Sequence, residues 1–501
     1  MNGLPGDNQT LYECFKSHDA RFDGRFFAGV SSSGIYCRPI CSARVPKFEN
    51  CTFFAQAAGA EKAGYRPCLL CRPELAPGDG RVGAPSRLAG MTLRRIEDGA
   101  LNAMSVETLA DEFGVTARHL RRALSHEFGV TPVELAQTQR LLHAKQLLSE
   151  TELPVTEVAF AAGFQSPRRF NDVFKTRYRL APQALRRANR SAPEHSTSMA
   201  SEETLTLRID YRPPYHWAAM CEYLTRRAIP GVEAVRGDAY IRTLEIGDHC
   251  GWLKVQPLHG GQRKVPIHAL AVTLSASLRP MSANVIAQAK ALFDTRASVA
   301  EIEQHLRGDE LLEPSISAFP GLRLPGAFNG FELIVRAVLG QQVSVKGAST
   351  LAGRWAAKFG RSVQTPFDEL TVLTPTAGRV ARARIETLAA LGLPLKRAET
   401  IQHVARAVAD DGLLLVPGID PDITHKRMLA LPGIGEWTAS YVAMRALAWP
   451  DAFPFGDLGL IKAIGMKRPA EIAARARQWS PWRGYAAMHL WKSLALARNA
   501  Q

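Results

Sequence analysis

Cysteine is scarce in this chain of 501 residues, and the sequence features of a membrane or secreted protein are missing. Eight cysteines are too few for a disulfide scaffold, so in a reducing compartment their spacing is better explained by metal binding or by reactive thiols. No run of about 20 apolar residues occurs, and Met1 to Thr10 lack the basic start and apolar stretch of a signal peptide. We therefore expect a soluble cytoplasmic protein without a membrane partner.

Acidic residues are too few to balance the basic ones. The chain has 62 lysines and arginines against 47 aspartates and glutamates, which gives a formal net charge of +15. This excess favours a polyanion such as nucleic acid as a partner, although positive charge also aids solubility. A length of 501 residues is too great for one hydrophobic core and suggests about three domains.

Four of the cysteines form two closely spaced pairs. Cys37 and Cys41 lie in the stretch GIYCRPIC, and Cys68 and Cys71 follow after 26 intervening residues. Four thiolates with CxxxC and CxxC spacing match the tetrahedral coordination that Zn²⁺ prefers. The spacing alone fits either a purely structural zinc site or a reactive one.

The stretches GIYCRPIC and RPCLLCRPE resemble the N-terminal domain of the Ada adaptive-response regulators, over residues 10–75. The resemblance implies that Cys37 is both a zinc ligand and the acceptor of a methyl group from a DNA methylphosphotriester, once per molecule. It also makes Arg38, Arg44 and Arg72 candidate phosphate contacts. Methylation would change the net charge of the zinc site from about −2 to about −1, and we expect this change to strengthen DNA binding.

A duplicated helical pattern lies between residues 84 and 190. In each copy apolar residues recur at i, i+3, i+4 and i+7, a glycine interrupts, and a second helix is predicted. The two copies lie 49 residues apart and begin with the apolar sets Val106, Leu109, Ala110 and Phe113, and Val155, Val158, Ala159 and Ala162. This pattern predicts two helix-turn-helix motifs, with Ser166 as a helix cap and Pro167 at the first helical position of the later one.

The second helix of each motif carries outward-facing arginines. These are Arg118, Arg121, Arg122, Arg168 and Arg169. They could enter two successive major grooves about 34 Å apart, or they could form only an exposed basic face. The stretches EFGVTP and AGFQSP resemble the AraC-type DNA-binding domain, which implies a transcription regulator and makes RNA polymerase a candidate partner. Arg179 is a departure, because that family usually has glycine after the final helix of the motif.

A small polar segment separates this region from the rest of the chain. Residues 191–203 have no apolar period and predict a flexible linker. Stretches such as TLTLRIDY and ALAVTLS then predict an antiparallel sheet over 204–283, and helical patterns fill 284–501. With a zinc domain over 1–83 and a helix-turn-helix domain over 84–190, we expect a multidomain, mainly α chain with an α+β part.

The stretch LPGIGEWTASYVAMRAL predicts a helix-hairpin-helix. Leu431, Gly433 and Gly435 belong to a tight turn whose amides, with the next helix's N-terminus, can hold a DNA phosphate. Asp457 follows 22 residues after Gly435, in FPFGDLGLIKA. Taken alone, the hairpin also fits simple DNA gripping, and Asp457 also fits a solvated loop carboxylate or a helix cap.

Residues 205–491 resemble the helix-hairpin-helix DNA glycosylases, and above all the AlkA-type 3-methyladenine DNA glycosylase II, through GLRLPG, RAVLGQQVSV and SPWRGYAAMHLW. The resemblance implies that Asp457 is the catalytic carboxylate, which stabilises an oxocarbenium-like sugar and orients or deprotonates water. It also implies a cage of aromatic residues that favours a cationic, flipped base by stacking and cation-π attraction. The cage residues would be Trp437, Tyr441, Trp491 and Tyr223.

Three positions and the absence of one residue type distinguish this chain from particular helix-hairpin-helix enzymes. Trp437 stands where strand-cleaving relatives carry a lysine nucleophile, so we expect no Schiff base. No cysteine occurs after Cys250, so we expect no iron-sulfur cluster. Gln342 stands where the AlkA-type family places a leucine wedge that fills the gap left by the flipped base. Leu458 replaces a tyrosine that can follow the catalytic aspartate, which bears on substrate breadth.

We therefore expect a monomeric alkylation-response protein with one Zn²⁺ that acts on double-stranded DNA. It would combine a methylphosphotriester acceptor, a promoter-binding regulator and a monofunctional glycosylase for alkylated purines. The Pro-Cys-His-Arg motif of a second Ada methyltransferase domain does not occur, so direct repair of the guanine oxygen is not predicted. The alternatives are a non-enzymatic transcription factor with a DNA-gripping C-terminal module, and a repair enzyme without regulatory action.

Overall fold

The computed structural model describes residues 3–78, 87–190, 203–258 and 267–499. All of the predicted linker except residue 203 lies outside the described residues. Within the described ranges no helix combines the length and the apolar character needed to cross a membrane.

Residues 3–78 form a small sheet flanked by short helices. The strand order is β3-β1-β2-β4, with antiparallel pairs except for the parallel pair β2/β4. A hydrophobic cluster that includes Leu11, Phe26 and Phe53 contains three of the four predicted zinc ligands, and the fourth, Cys71, packs against it. The elements are α1 (Asn8–Lys16), β1 (Phe27–Val30), β2 (Ile35–Cys37), β3 (Cys51–Phe54), α2 (Ala57–Lys62) and β4 (Arg66–Pro67), with 3₁₀ turns at Ala20–Phe22, Phe48–Asn50 and Pro73–Leu75.

Residues 87–190 are helical throughout, and the predicted pair of helix-turn-helix motifs is present. The elements are α3 (Arg87–Glu97), α4 (Ala100–Ala103), α5 (Val106–Glu112), α6 (Ala117–Phe128), α7 (Pro132–Glu150), α8 (Val155–Ala161), α9 (Pro167–Tyr178) and α10 (Pro182–Arg190). Ser166 caps α9 by accepting from the amide of Arg169, as its position before Pro167 predicts. The turn after each second helix is left-handed, with φ +70° at Gly129 and φ +53° at Arg179. Arg179 therefore keeps the turn that glycine would make.

The remaining chain combines five strands with fourteen helices among its described residues. The strands are β5 (Thr204–Asp210), β6 (Glu233–Arg236), β7 (Ala239–Ile246), β8 (His249–Pro257) and β9 (Ala269–Ser275). The helices are α11 (Trp217–Arg227), α12 (Ser282–Leu292), α13 (Val299–Leu306), α14 (Glu313–Ala318), α15 (Gly330–Leu339), α16 (Val345–Phe359), α17 (Ala377–Ala381), α18 (Ile385–Ala389), α19 (Leu395–Ala409), α20 (Pro421–Leu429), α21 (Glu436–Arg445), α22 (Leu458–Ile464), α23 (Pro469–Ala476) and α24 (Arg483–Asn499), with 3₁₀ turns at Ala276–Met281 and Arg477–Trp479.

Two compact units divide these elements. The first contains residues 1–213, 258–290 and 295–297, and the second contains 214–257, 291–294 and 298–501. In the first unit β5 pairs antiparallel with β9, and in the second β6, β7 and β8 form an antiparallel meander. Helix α11 interrupts the region for which the sequence predicted only a sheet, since its buried residues Ala219, Tyr223 and Leu224 recur at helical spacing.

Candidate active site and metal centre

The carboxylate of Asp457 is held by two tryptophans and by the start of a helix. Asp457 caps α22, and its Oδ1 accepts from the amide of Leu460 at 3.0 Å. The indole Nε1 of Trp437 donates to Oδ2 at 2.9 Å, and that of Trp491 donates to Oδ1 at 2.9 Å. Three hydrogen bonds therefore fix the position of the carboxylate.

Gly459 makes room for this arrangement. A Cβ at this position would lie 3.0 Å from Oδ1 of Asp457 and 3.2 Å from Cδ1 of Trp491. A larger residue would therefore crowd both the carboxylate and the indole that holds it. The next residue after Asp457, Leu458, is 83% exposed and lies at the solvent side of the same turn.

The aromatic residues that the sequence analysis grouped together meet in the second unit. Trp437 and Tyr441 lie one turn apart on α21 and stack with a centroid distance of 5.3 Å and an interplanar angle of 5°. The hydroxyl groups of Tyr223, on α11, and Tyr441 lie 3.0 Å apart. Together with Trp491, these rings form one continuous set of contacts with Asp457.

A buried cation lies behind this set. Arg445, one turn after Tyr441, donates to the Tyr441 hydroxyl oxygen at 2.8 Å and to the carbonyl oxygens of Pro325 and Gly326. Burial raises the pKa of Tyr441, but the charges of Arg445, Arg227 and Arg336 outweigh it and lower the pKa to about 7. Arg445 was not predicted as a site residue from the sequence, although its i+4 spacing from Tyr441 places both on one helix face.

The helix-hairpin-helix predicted around LPGIG is formed by α20 and α21. Gly433 has φ +84°, and a Cβ there would lie 1.9 Å from Oγ1 of Thr400. Gly435 is the N-cap residue that precedes α21, and nothing lies within 4 Å of its Cβ position. Both glycines are exposed, so the turn and the amides at the start of α21 face solvent.

The candidate wedge lies beside this hairpin. Gln342 is exposed and has φ +59°, a left-handed conformation that is uncommon for a residue with a side chain. Its neighbour Gln341 donates to the carbonyl oxygen of Gly433 and to Oγ1 of Thr438, both at 3.3 Å. Gln341 thus joins the wedge loop to the hairpin, a role that no local sequence signal indicated.

The four cysteines of the predicted zinc site converge in the first unit. The Sγ atoms of Cys37, Cys41, Cys68 and Cys71 all lie within 4.8 Å of one another. A tetrahedral Zn²⁺ with Zn–S bonds of about 2.3 Å separates its sulfur ligands by about 3.8 Å, so this donor set fits zinc. The first three thiols are buried and Cys71 is half-buried. The amide of Arg38 donates to Sγ of Cys71 at 3.3 Å.

Two of the three predicted phosphate contacts in this module are engaged elsewhere. Arg38 is 2% exposed and pairs with Asp23 and, at 3.1 Å, with Asp210 of β5. Arg72 pairs with Glu74 at 2.9 Å and with Glu150 of α7 at 2.6 Å. In this structure their guanidinium groups face carboxylates instead of solvent. Of the three, Arg44 alone is exposed.

The five arginines of the predicted recognition helices are all exposed. They lie on α6 and α9, the second helices of the two motifs: Arg118, Arg121, Arg122, Arg168 and Arg169. Arg121 forms a surface ion pair with Glu107 at 2.8 Å. The structure therefore presents the predicted basic residues on both candidate recognition helices.

Comparison with protein families accounts for most of the chain. Four family models match, described as the metal binding domain of Ada (residues 10–74), a helix-turn-helix domain (109–188), the AlkA N-terminal domain (206–329) and the HhH-GPD superfamily base excision DNA repair protein (335–477). These matches confirm the predicted zinc, AraC-type and glycosylase folds.

Three curated relatives extend this result. The probable bifunctional transcriptional activator/DNA repair enzyme AlkA of Mycobacterium tuberculosis is 37% identical over 494 residues, which cover 97% of each chain. DNA-3-methyladenine glycosylase 2 of Escherichia coli is 37% identical over 284 residues, 56% of this chain and 95% of that one. The bifunctional transcriptional activator/DNA repair enzyme Ada of Escherichia coli is 34% identical over 150 residues, 30% of this chain and 40% of that one. The chain therefore belongs to the family of bifunctional transcriptional activators and DNA repair enzymes in which an Ada-type metal-binding domain and a helix-turn-helix domain precede an AlkA-type base excision repair module.

Proposed function

We propose that this protein is a monofunctional DNA glycosylase of the 3-methyladenine type, which flips an alkylated purine from the duplex and hydrolyses its N-glycosidic bond. The observation that supports this reaction is the position of Asp457, whose two oxygens accept indole N–H groups from Trp437 and Trp491. A carboxylate set among aromatic rings suits a substrate whose base is already cationic. Alkylation of a ring nitrogen makes the base a good leaving group, so little acid catalysis is required.

The main requirement of the reaction is to stabilise the positive charge that develops on the sugar. When the bond between the sugar C1′ and the base nitrogen breaks, both electrons leave with the base and neutralise it. The sugar becomes oxocarbenium-like, and the carboxylate of Asp457 opposes its positive charge. Water then adds to C1′ and loses a proton to solvent. A carboxylate has about four lone-pair positions, and three accept hydrogen bonds here, so one on Oδ2 is left to orient that water.

The reaction is expected to stop at hydrolysis. Trp437 occupies the position at which strand-cleaving relatives carry lysine, and an indole cannot form a Schiff base. We also propose that no iron-sulfur cluster is present, because no cysteine follows Cys250. Borohydride treatment during turnover should therefore trap no covalent complex with DNA.

The decisive test compares Asp457→Asn with Asp420→Asn. Both aspartates cap helices, and asparagine caps nearly as well, so neither change should unfold the protein. At position 457 the amide removes the negative charge, and its nitrogen cannot accept an indole N–H. We expect single-turnover release of 3-methyladenine from methylated duplex to fall about 100-fold or more for Asp457→Asn and to stay near wild type for Asp420→Asn. Equal release by both variants would contradict the role of Asp457, and no release even by wild type would favour a DNA-gripping module.

We propose a second activity for the metal-binding domain, namely that Cys37 accepts a methyl group from a DNA methylphosphotriester. When bound, Zn²⁺ would keep the Cys37 thiolate deprotonated yet nucleophilic at neutral pH. The sulfur attacks the methyl carbon, and the bond between that carbon and the phosphate oxygen breaks. The oxygen keeps the electron pair, so the phosphodiester leaves as an anion. The four converging thiols support this proposal. One negative charge is lost from the protein, which should strengthen binding of the helix-turn-helix domain to promoter DNA.

Mass spectrometry tests the methyl transfer. Zinc-loaded protein incubated with methylphosphotriester DNA should gain one methyl group on Cys37, and Cys51→Ser, a change outside the four-cysteine cluster, should not alter the yield. Methylation elsewhere, or none, would overturn the proposal. Metal analysis should find about one zinc per chain.

We further propose that the helix-turn-helix domain recruits RNA polymerase. We also propose that the protein acts as a monomer, and that its domain boundaries lie at residues 83, 190 and 203 as predicted. The exposed arginines of α6 and α9 support promoter binding. Analytical ultracentrifugation with and without promoter DNA measures the stoichiometry, and methylated protein should shift promoter fragments at lower concentration than unmethylated protein.

A further inference from the structure

The hydroxyl of Tyr441 occupies an unusual electrostatic position. It lies between the Tyr223 hydroxyl at 3.0 Å and Nη1 of Arg445 at 2.8 Å. Tyr223 and Tyr441 are 7% and 6% exposed, so water does little to screen the charges around them. A phenolic oxygen in this position receives one hydrogen bond from a cation and can receive another from a neighbouring phenol.

Among the described residues, Arg445 has no carboxylate partner at close range. Its other two partners are the carbonyl oxygens of Pro325 and Gly326, and within the described part of the chain it forms no ion pair. Its guanidinium also lies 5.1 Å from the ring centroid of Tyr223 and 5.4 Å from that of Tyr441. The phenol of Tyr441 is therefore the group best placed to act as its counter-ion.

Other cations surround the pair. Arg227, on α11 with Tyr223, lies 3.9 Å from the Tyr223 ring centroid. The charge of Arg336 on α15 also acts on Tyr441, and Glu233 on β6 is an acid whose charge acts on Arg445. On the remaining sides, Glu332 of α15 pairs with Arg242, and His425 of α20 contacts Glu436 and Ser440. Positive charge thus predominates around the two hydroxyl groups.

This arrangement creates a problem for the proposed substrate. A cationic base that stacks beside Trp437 would be repelled by the positive charge of Arg445, if the Tyr441 ring between them is neutral. If Tyr441 carries a negative charge instead, the phenolate cancels that repulsion and its ring becomes electron-rich, which attracts a cation more strongly. Neutral lesions gain no comparable advantage from the change.

We propose that the Tyr223–Tyr441 pair, held by Arg445, determines specificity for positively charged bases by placing negative charge on the Tyr441 ring. The proposal rests on the proposed glycosylase function and adds how the site discriminates among lesions. The hydroxyl of Tyr223 supplies a hydrogen-bond donor that a phenylalanine at this position would lack. Arg445 acts as a positioning residue through Tyr441.

The sign of the pH dependence follows from the phenol. Tyr441 is charged above its pKa of about 7 and neutral below it, so preference for a cationic base should rise with pH through neutrality. For wild type, the ratio of single-turnover rates for release of 3-methyladenine and of hypoxanthine should increase about tenfold between about pH 6 and about pH 8.

Tyr441→Phe is the variant that separates charge from stacking, because it keeps the ring and removes the hydroxyl. Its ratio of the 3-methyladenine rate to the hypoxanthine rate should be low and independent of pH, because the change removes the ionisable hydroxyl. Tyr223→Phe removes one hydrogen bond to the phenolate and should move the inflection to higher pH. Tyr215→Phe, a change in the same unit at a hydroxyl that bonds the carbonyl of Phe293, should behave as wild type.

Ionisation can also be followed without DNA. Tyrosinate absorbance of the intact chain should show one tyrosine titrating near neutrality in wild type and none in Tyr441→Phe. If the Tyr441→Phe ratio keeps the wild-type pH dependence, or no tyrosine titrates near neutrality, the inference is overturned. If wild type releases no 3-methyladenine at any pH while the titration is observed, the proposed function is wrong, but the ionisation of Tyr441 near neutrality is confirmed.

Discussion

Trp437 donates its indole N–H to Oδ2 of Asp457 at 2.9 Å, although 20 residues separate the two in sequence. The tryptophan has two separate functions in this position, because its ring stacks on Tyr441 while its nitrogen holds the carboxylate. A substitution that keeps one function and removes the other can distinguish them.

Trp437→Phe keeps an aromatic ring and removes the donor. A hydrogen bond to a charged group contributes about 1.5 to 3 kcal/mol, so we expect release of 3-methyladenine to slow about 10- to 100-fold. Substrate affinity should change much less, since stacking remains. Single-turnover rates at saturating enzyme measure the first effect and DNA-binding titrations the second. Trp252→Phe, on β8, is the control, and an unchanged rate for Trp437→Phe would show that the indole nitrogen is dispensable.

Gly433→Ala, compared with Gly435→Ala, tests the role of the hairpin turn. A Cβ at Gly433 would lie 1.9 Å from Oγ1 of Thr400 and would require a left-handed φ of +84°, whereas Gly435 has open space. We expect Gly433→Ala to distort the turn, to lower stability by about 2 kcal/mol and to weaken DNA binding at least about tenfold. Gly435→Ala should bind DNA within about threefold of wild type. Fluorescence anisotropy with duplex DNA measures both, and equal losses would mean that loss of glycine itself, not the contact with Thr400, causes the defect.

Arg179→Gly should stabilise the helix-turn-helix domain. Arg179 is exposed and takes the left-handed conformation with φ +53° that Gly129 takes after the earlier motif. A non-glycine residue pays about 1 kcal/mol of strain in that conformation, so removal of the side chain should raise the free energy of unfolding by about that amount. Urea denaturation followed by circular dichroism provides the measurement. Gly129→Arg, the reverse change, should lower stability by a similar amount, and destabilisation by Arg179→Gly would reveal an unrecognised contact of the arginine.

Glu61 should make stability depend on pH. Its carboxylate accepts from Tyr36 and Thr138 inside the first unit, and burial raises its pKa from 4.5 to about 7. Because the folded pKa lies above the unfolded one, the stabilisation is complete below about pH 4.5 and is lost as pH rises through about 7. The difference is on the order of 3 kcal/mol.

Glu61→Gln keeps the shape of this side chain without its charge. Its denaturation midpoint should therefore change less than that of wild type between about pH 5 and about pH 8. Glu49→Gln, at an exposed position of the same module, should follow the wild-type profile. A pH profile of Glu61→Gln identical to that of wild type would exclude Glu61 as the source of the effect.

Local sequence patterns were sufficient to predict a structural feature wherever that feature depends on residues close together along the chain. The spacing of Cys37, Cys41, Cys68 and Cys71 predicted their convergence, the apolar period predicted both helix-turn-helix motifs, and Ser166 before Pro167 predicted a helix start. The candidate active-site residues came instead from a family resemblance, because Asp457 alone fits a helix cap as well, and it is one.

Tertiary structure decided which charges face solvent and which pairs meet. Arg38 and Arg72 carry the same charge as Arg44, yet folding turns them toward carboxylates, one of them 172 residues away in sequence. Tyr223 and Tyr441 meet across 218 residues, and the helix that carries Tyr223 was not predicted. The sequence by itself determined the four-cysteine cluster, the duplicated motifs and the hairpin, because these depend on short spacings. The burial of the two arginines and the electrostatics of the tyrosine pair depend on long-range packing, which sets the local dielectric and the partners of each charge.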